Sequence, residues 1–162
     1  MTAASALWFL PFVLPIAIWV AWSDMKFMKI PNQSVMTLTL VFAVIGLIAL
    51  PFGEYVWRWS HLVIILLAGF IANALRLVGA GDAKFAAAMA PFFAQSDIRL
   101  ILPLFAAILL GAFAAHRLMK HLPVFRSSVA DWQSWQRDDF PMGLALSGTL
   151  VFYLLLVAIK AV

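Results

Sequence analysis

The chain has 162 residues, of which 65% are hydrophobic and 11% charged, and its mean hydropathy is +1.03. Ordinary soluble domains carry about 25% charged residues, so this composition excludes one and indicates an integral membrane protein. With no cysteine, disulfides, thiol catalysis and cysteine-ligated metals are excluded as well, and His61, His116 and His121 form no ligand-like pair, so neither metal nor cofactor is expected.

Apolar runs occur at roughly 5–23, 33–52, 61–78, 83–95, 98–116 and 140–159. There is no strand-like alternation, repeat or low-complexity stretch. The pattern predicts an all-α membrane bundle of six transmembrane helices in one domain, 1–162. The run 83–95 is the shortest: about 13 helical residues rise about 20 Å against a bilayer core of about 30 Å. Either Asp82 lies within the membrane or this helix does not fully span.

No Lys or Arg precedes Lys26, so the first run reads as a retained helix with its N-terminus outside. The turns 24–32, 76–84 and 117–139 then face the cytoplasm, and 53–60, 95–99 and the C-terminus face outward. Lys26, Lys29, Arg76, Lys84, Arg117, Lys120, Arg126 and Arg137 fall inside, against Arg58, Arg99 and Lys160 outside, in keeping with the positive-inside rule. The net charge of +4 is thereby an orientation signal, with lipid headgroups as neighbours and no nucleic acid required. Trp8, Trp57 and Trp59 read as outer interface anchors, and Trp22, Trp132 and Trp135 as inner ones.

Glu54, Asp97, Asp131, Asp138 and Asp139 belong to loops or loop edges that face water. Asp24 and Asp82 differ, each lying where an apolar run meets a cytoplasmic turn: Asp24 ends the first helix and Asp82 opens the fourth. Gly79 and Gly81 flank Ala80 and permit positive φ and close backbone approach. This is equally the composition of a tight turn with Asp82 as the helix N-cap. A second carboxylate at matching depth, followed six residues later by Ile30-Pro31-Asn32, suggests more. Two close carboxylates share one proton, and together they activate a water for attack on a peptide carbonyl without metal or cofactor.

By the combination of these two motifs, the sequence resembles the type IV prepilin peptidases, membrane aspartyl proteases of the GxGD class. Asp24, Lys26, Lys29 and Ile30-Pro31-Asn32 look like the family's first catalytic aspartate, basic turn and IPN signature. Gly79-Ala80-Gly81-Asp82-Ala83-Lys84 looks like its GxGDxK motif, with Asp82 as the second catalytic aspartate, and Pro141-Met142-Gly143-Leu144-Ala145 is similar to a stretch at the family's last helix. The resemblance implies removal of a basic leader from a prepilin or pseudopilin precursor at the cytoplasmic face of the bacterial inner membrane. The short form resembles tight-adherence (Flp-type) pilus peptidases, without the cysteine-bearing segment associated with N-methylation.

Around the pair, Lys84 and Arg76 are positioned either to modulate a carboxylate or to bind an acidic substrate residue, with membrane anchoring as the other reading. Lys26 and Lys29 are further candidate substrate contacts. Asn32 reads chiefly as a helix cap, and Asn73 as a hydrogen-bonding residue inside the bundle. The 117–139 loop either lies at headgroup level or gates the substrate. Two other function classes stay open from the sequence: a proton-coupled transporter using both aspartates as a relay, and a non-catalytic pilus-assembly subunit.

Overall fold

The computed structural model describes residues 1–123, 127 and 129–159; Arg126 and Lys160 of the charge count lie outside them. The fold is all-helical. Among the described residues six helices run: α1 (Ala3–Phe27), α2 (Asn32–Ala49), α3 (Phe52–Ala74), α4 (Ala80–Met89), α5 (Ile98–His121) and α6 (Met142–Ile159). Short 3-10 turns occur at Ala90–Phe92, Gln95–Asp97 and Gln133–Trp135. Among the described residues, five of the six helices have the length and apolar composition to cross a membrane, and α4 is the exception.

The helix limits follow from local chemistry. The Thr2 hydroxyl caps α1 by accepting from the Ser5 N–H at 3.2 Å, and α1 continues through Pro11 and Pro15, which an apolar surround with packed neighbours tolerates. Proline occupies the N-cap of both α2 (Pro31) and α3 (Pro51), where its fixed φ starts a helix and its missing N–H costs nothing. The expected outer turn 53–60 is instead the first two turns of α3, because the Pro51 start outweighs the polar Glu54, Arg58 and Ser60.

α1 is the central element, packed chiefly on α6 and then α2, while α3 packs on α4 and α5 on α6. Phe9, Phe42 and Phe92 form an aromatic cluster among α1, α2 and the end of α4. Its surroundings include Tyr55 and Trp59 of α3, which meet Phe42. Gly69 lets α3 approach α4 closely: a Cβ there would stand 2.9 Å from that of Ala83.

α4 has ten residues, about 15 Å of rise, and ends inside the bundle. Backbone that leaves helical geometry at that depth needs polar partners, and Arg58 supplies them. Only 1% exposed, it donates to the carbonyls of Pro91 and Phe92, each at 3.2 Å, and pairs with Glu54 at 2.6 Å. Beside it, the Ala94 N–H donates to the Tyr153 hydroxyl, which donates to Asp97; the Met1 ammonium also reaches Asp97. Three residues assigned to water-facing loops, Glu54, Arg58 and Asp97, therefore form a polar clamp on the end of α4. Trp135, expected as an interface anchor, is buried and stacked on His116 of α5, because the Gln133–Trp135 turn packs onto the bundle against α1; residues 117–121 of the expected 117–139 loop are the last of α5.

Candidate active site

Asp24 lies in the last turn of α1, buried at 5% exposure. The α1 helix closes through Met28, a left-handed residue at φ 52° whose N–H donates to the Asp24 carbonyl at 2.8 Å. The Ser23 hydroxyl donates to the Lys29 carbonyl at 2.9 Å, which fixes the turn leading into Ile30-Pro31-Asn32. The Asp24 carboxylate accepts a 2.7 Å hydrogen bond from the Gly143 N–H at the start of α6. A Cβ on Gly143 would lie 2.9 Å from Asp24 Oδ2 and 3.0 Å from its Cβ, so only glycine permits this approach.

Asp82 is the third residue of α4, with Gly79 as the N-cap. It is not the N-cap, the alternative its sequence position allowed. Its half-buried carboxylate turns back to accept from the Gly79 N–H, the reciprocal half of a capping box. Oδ2 would stand 2.6 Å from a Cβ at position 79, which explains a glycine there without any need for positive φ. Burial pushes the Asp82 carboxyl above the ordinary value of 3.8, and the Gly79 N–H partly offsets that rise. Asp24 lies within electrostatic reach of Asp82.

The two motifs meet along their lengths. Gly81 faces Ile30 so closely that an added Cβ would touch the Ile30 Cβ at 3.4 Å and its backbone N at 3.7 Å. Lys84 Nζ donates to Asn32 Oδ1 at 3.2 Å, so Asn32 spends its side chain on the other motif, and Pro31 is the N-cap of α2. Pro31 and Ile30 are half-buried and Lys29 is exposed.

Lys26 turns away to pair with Asp131 of the 117–139 loop at 3.1 Å, with Nζ over the Trp22 and Phe27 rings. Arg76 is exposed at φ 60° and forms a left-handed helix end: the Leu77 N–H bonds the Ala72 carbonyl and the Arg76 N–H that of Asn73. The Asn73 side-chain amide donates to the Val78 carbonyl at 2.9 Å, tying the turn that delivers Gly79. The residue missed from the sequence is Gly143; its signal was the Pro141-to-Ala145 stretch, whose partner no sequence pattern named.

Among the described residues no three of His, Asp and Glu gather as a metal site would require. What the arrangement offers is a pair of carboxyl groups on two helices, each held by a glycine N–H, at one end of an apolar bundle.

A multi-pass helical membrane protein is the class that the fold defines. The model of the type IV leader peptidase family matches residues 11–116, and the chain belongs to that family. It is accordingly a peptidase that processes type IV prepilins. The matched segment contains Asp24, Ile30-Pro31-Asn32 and Gly79–Lys84; Gly143 lies beyond it. No curated protein and no solved structure matches the chain.

Proposed function

We propose that the chain is an aspartyl endopeptidase whose Asp24 and Asp82 jointly activate water to remove the basic leader from Flp-like type IV prepilins. The observation that carries this reading is that α1 and α4 each bring a partly desolvated carboxyl group to the same end of the bundle, within electrostatic reach of one another, each with a backbone N–H on it. Two like charges within electrostatic reach disfavour ionising together, so the state this mechanism uses is the pair holding one proton.

In that state the ionised carboxylate takes a proton from water as the water oxygen bonds to the scissile carbonyl carbon. The neutral carboxyl hydrogen-bonds the carbonyl oxygen as charge develops there. Collapse of the tetrahedral species breaks the C–N bond, and the departing amine takes the proton back from the pair, restoring the shared-proton state. Fixed carboxyl positions matter because the reacting atoms must meet at about 3 Å.

The excess of Lys and Arg in the turns at the Asp24 and Asp82 end supports an orientation in which this end faces the cytoplasm of the inner membrane. There a basic leader lies in water while the apolar pilin segment stays in the bilayer, with lipid around the bundle.

The test is cleavage of a co-expressed type IV prepilin, read by gel shift and mature N-terminal mass, for the wild type, Asp24→Asn and Asp82→Asn. Both variants are expected at wild-type membrane levels without detectable cleavage. Cleavage retained in either variant removes the paired-carboxylate mechanism.

A further inference from the structure

Away from the carboxyl groups, a cavity of about 660 Å³ opens from the side of the bundle, and its lining is almost wholly apolar. Its floor is α4 and its walls are α3 and α5, with α6 behind. It exists because α3 packs on α4 while α5 packs on α6, which leaves the short helix recessed between two long ones. Of the polar side chains on its lining, the Ser60 hydroxyl bonds the Trp57 carbonyl and that of Thr149 bonds the Ala145 carbonyl, while His61 and Gln95 stand among residues that are otherwise apolar. The occupant is therefore apolar.

Register decides between an apolar helix and lipid. Ala86 and Met89 line the groove and follow Asp82 by four and seven residues along α4, the spacing of one helical face; Phe93, beyond the 3-10 turn, extends the lining. The α4 stripe that floors the groove thus ends at the Asp82 carboxyl group. Ala86 and Ala90, both on the lining, are small residues one turn apart, a spacing that admits close approach of another helix backbone. An acyl chain gains nothing from alignment with a carboxyl group, whereas a peptide whose apolar helix begins just after the scissile bond needs that alignment.

We propose that this α3/α4/α5 groove seats the apolar helix of the prepilin substrate, laid along α4 so that the bond preceding the helix reaches Asp82. The inference rests on the peptidase reading above. It assigns substrate positioning to Ile64 and Leu102, wall residues exposed at 59% and 63%, neither of which approaches the carboxyl groups in sequence.

The absence of native cysteines makes disulfide trapping direct. Single variants Ile64→Cys and Leu102→Cys, with Leu40→Cys and Leu110→Cys as exposed positions outside the groove, are oxidised in membranes with a prepilin carrying one cysteine in its apolar helix. Cleavage of the prepilin is read in the same samples. Cross-links at Ile64 and Leu102 but not at Leu40 and Leu110 are expected. The groove-filling pair Ile64→Trp and Leu102→Trp is expected to raise KM about tenfold with kcat little changed, as for lost ground-state binding in an overfilled space. Normal cleavage with cross-links only at the outer positions, or with unchanged KM in the filled variants, overturns the groove and leaves the peptidase reading intact. Lipid is then its occupant. Absence of Asp24- and Asp82-dependent cleavage in the parent protein removes both.

Discussion

Replacing Gly143 by alanine tests the site at the point where the tertiary structure is most demanding. The new Cβ would stand 2.9 Å from Asp24 Oδ2, closer than real contacts allow, and a tight 3.2 Å from Cγ, and both groups are buried. Something must shift. Main-chain movement of α6 is resisted by its packing on α1, so the carboxylate gives way and the 2.7 Å bond from the Gly143 N–H stretches. Overpacking costs about 1–3 kcal/mol, and a hydrogen bond to a charged group contributes about 1.5–3 kcal/mol. A displacement of about 1 Å at a reacting group lowers rate by about a hundredfold.

Gly143→Ala is accordingly expected to reach the membrane at near wild-type level and to lose about thirty- to a hundredfold in kcat/KM for prepilin cleavage, or about 2–2.7 kcal/mol of transition-state stabilisation. Gly111→Ala is the control, since an added Cβ there meets nothing within 4 Å; its cleavage rate is expected to be unchanged. Wild-type cleavage by Gly143→Ala would refute the reasoning, because it would mean that the position of Asp24 is not what the reaction depends on.

Arg58→Leu leaves the Pro91 and Phe92 carbonyls without their donor and Glu54 without its cation. The loss is expected to be about 3–5 kcal/mol, read as a large fall in detergent Tm, whereas the exposed Arg99 should tolerate the same change. The raised carboxyl of Asp82 has a definite sign: between the ordinary value of 3.8 and its higher folded value, the unfolded chain ionises first, so native stability falls as pH rises through that window. Asp82→Asn removes this burden, and its Tm relative to wild type is expected to increase from pH 4 to pH 8; a constant difference would contradict the buried position of the carboxyl. Lys84→Met loses only the exposed 3.2 Å bond to Asn32. Its stability should change by less than about 1 kcal/mol, so a large drop in cleavage by this variant would mark Lys84 as a substrate contact.

Much of the protein was legible in the sequence. The membrane class, the helices and the isolation of Asp24 and Asp82 from the other acidic residues all follow from transfer free energy, which adds along the chain and needs no knowledge of neighbours. The shortness of the fourth run was likewise visible as a count of residues. The misplacements had a common origin. Glu54, Arg58 and Asp97 carry charge and sit near turns, so hydropathy put them in water, yet they clamp the end of α4. Trp135 looked like an interface anchor and is packed on His116.

Only the tertiary structure decided that the Gly143 N–H meets Asp24, that Gly81 lies on Ile30 and Lys84 on Asn32, and that α4 floors a side groove in register with Asp82. Hydropathy decides whether a segment enters the membrane, but not the rotation of one helix against another. That rotation comes from side-chain packing between residues as distant as Asp24 and Gly143, and it determines which lone pair finds which N–H.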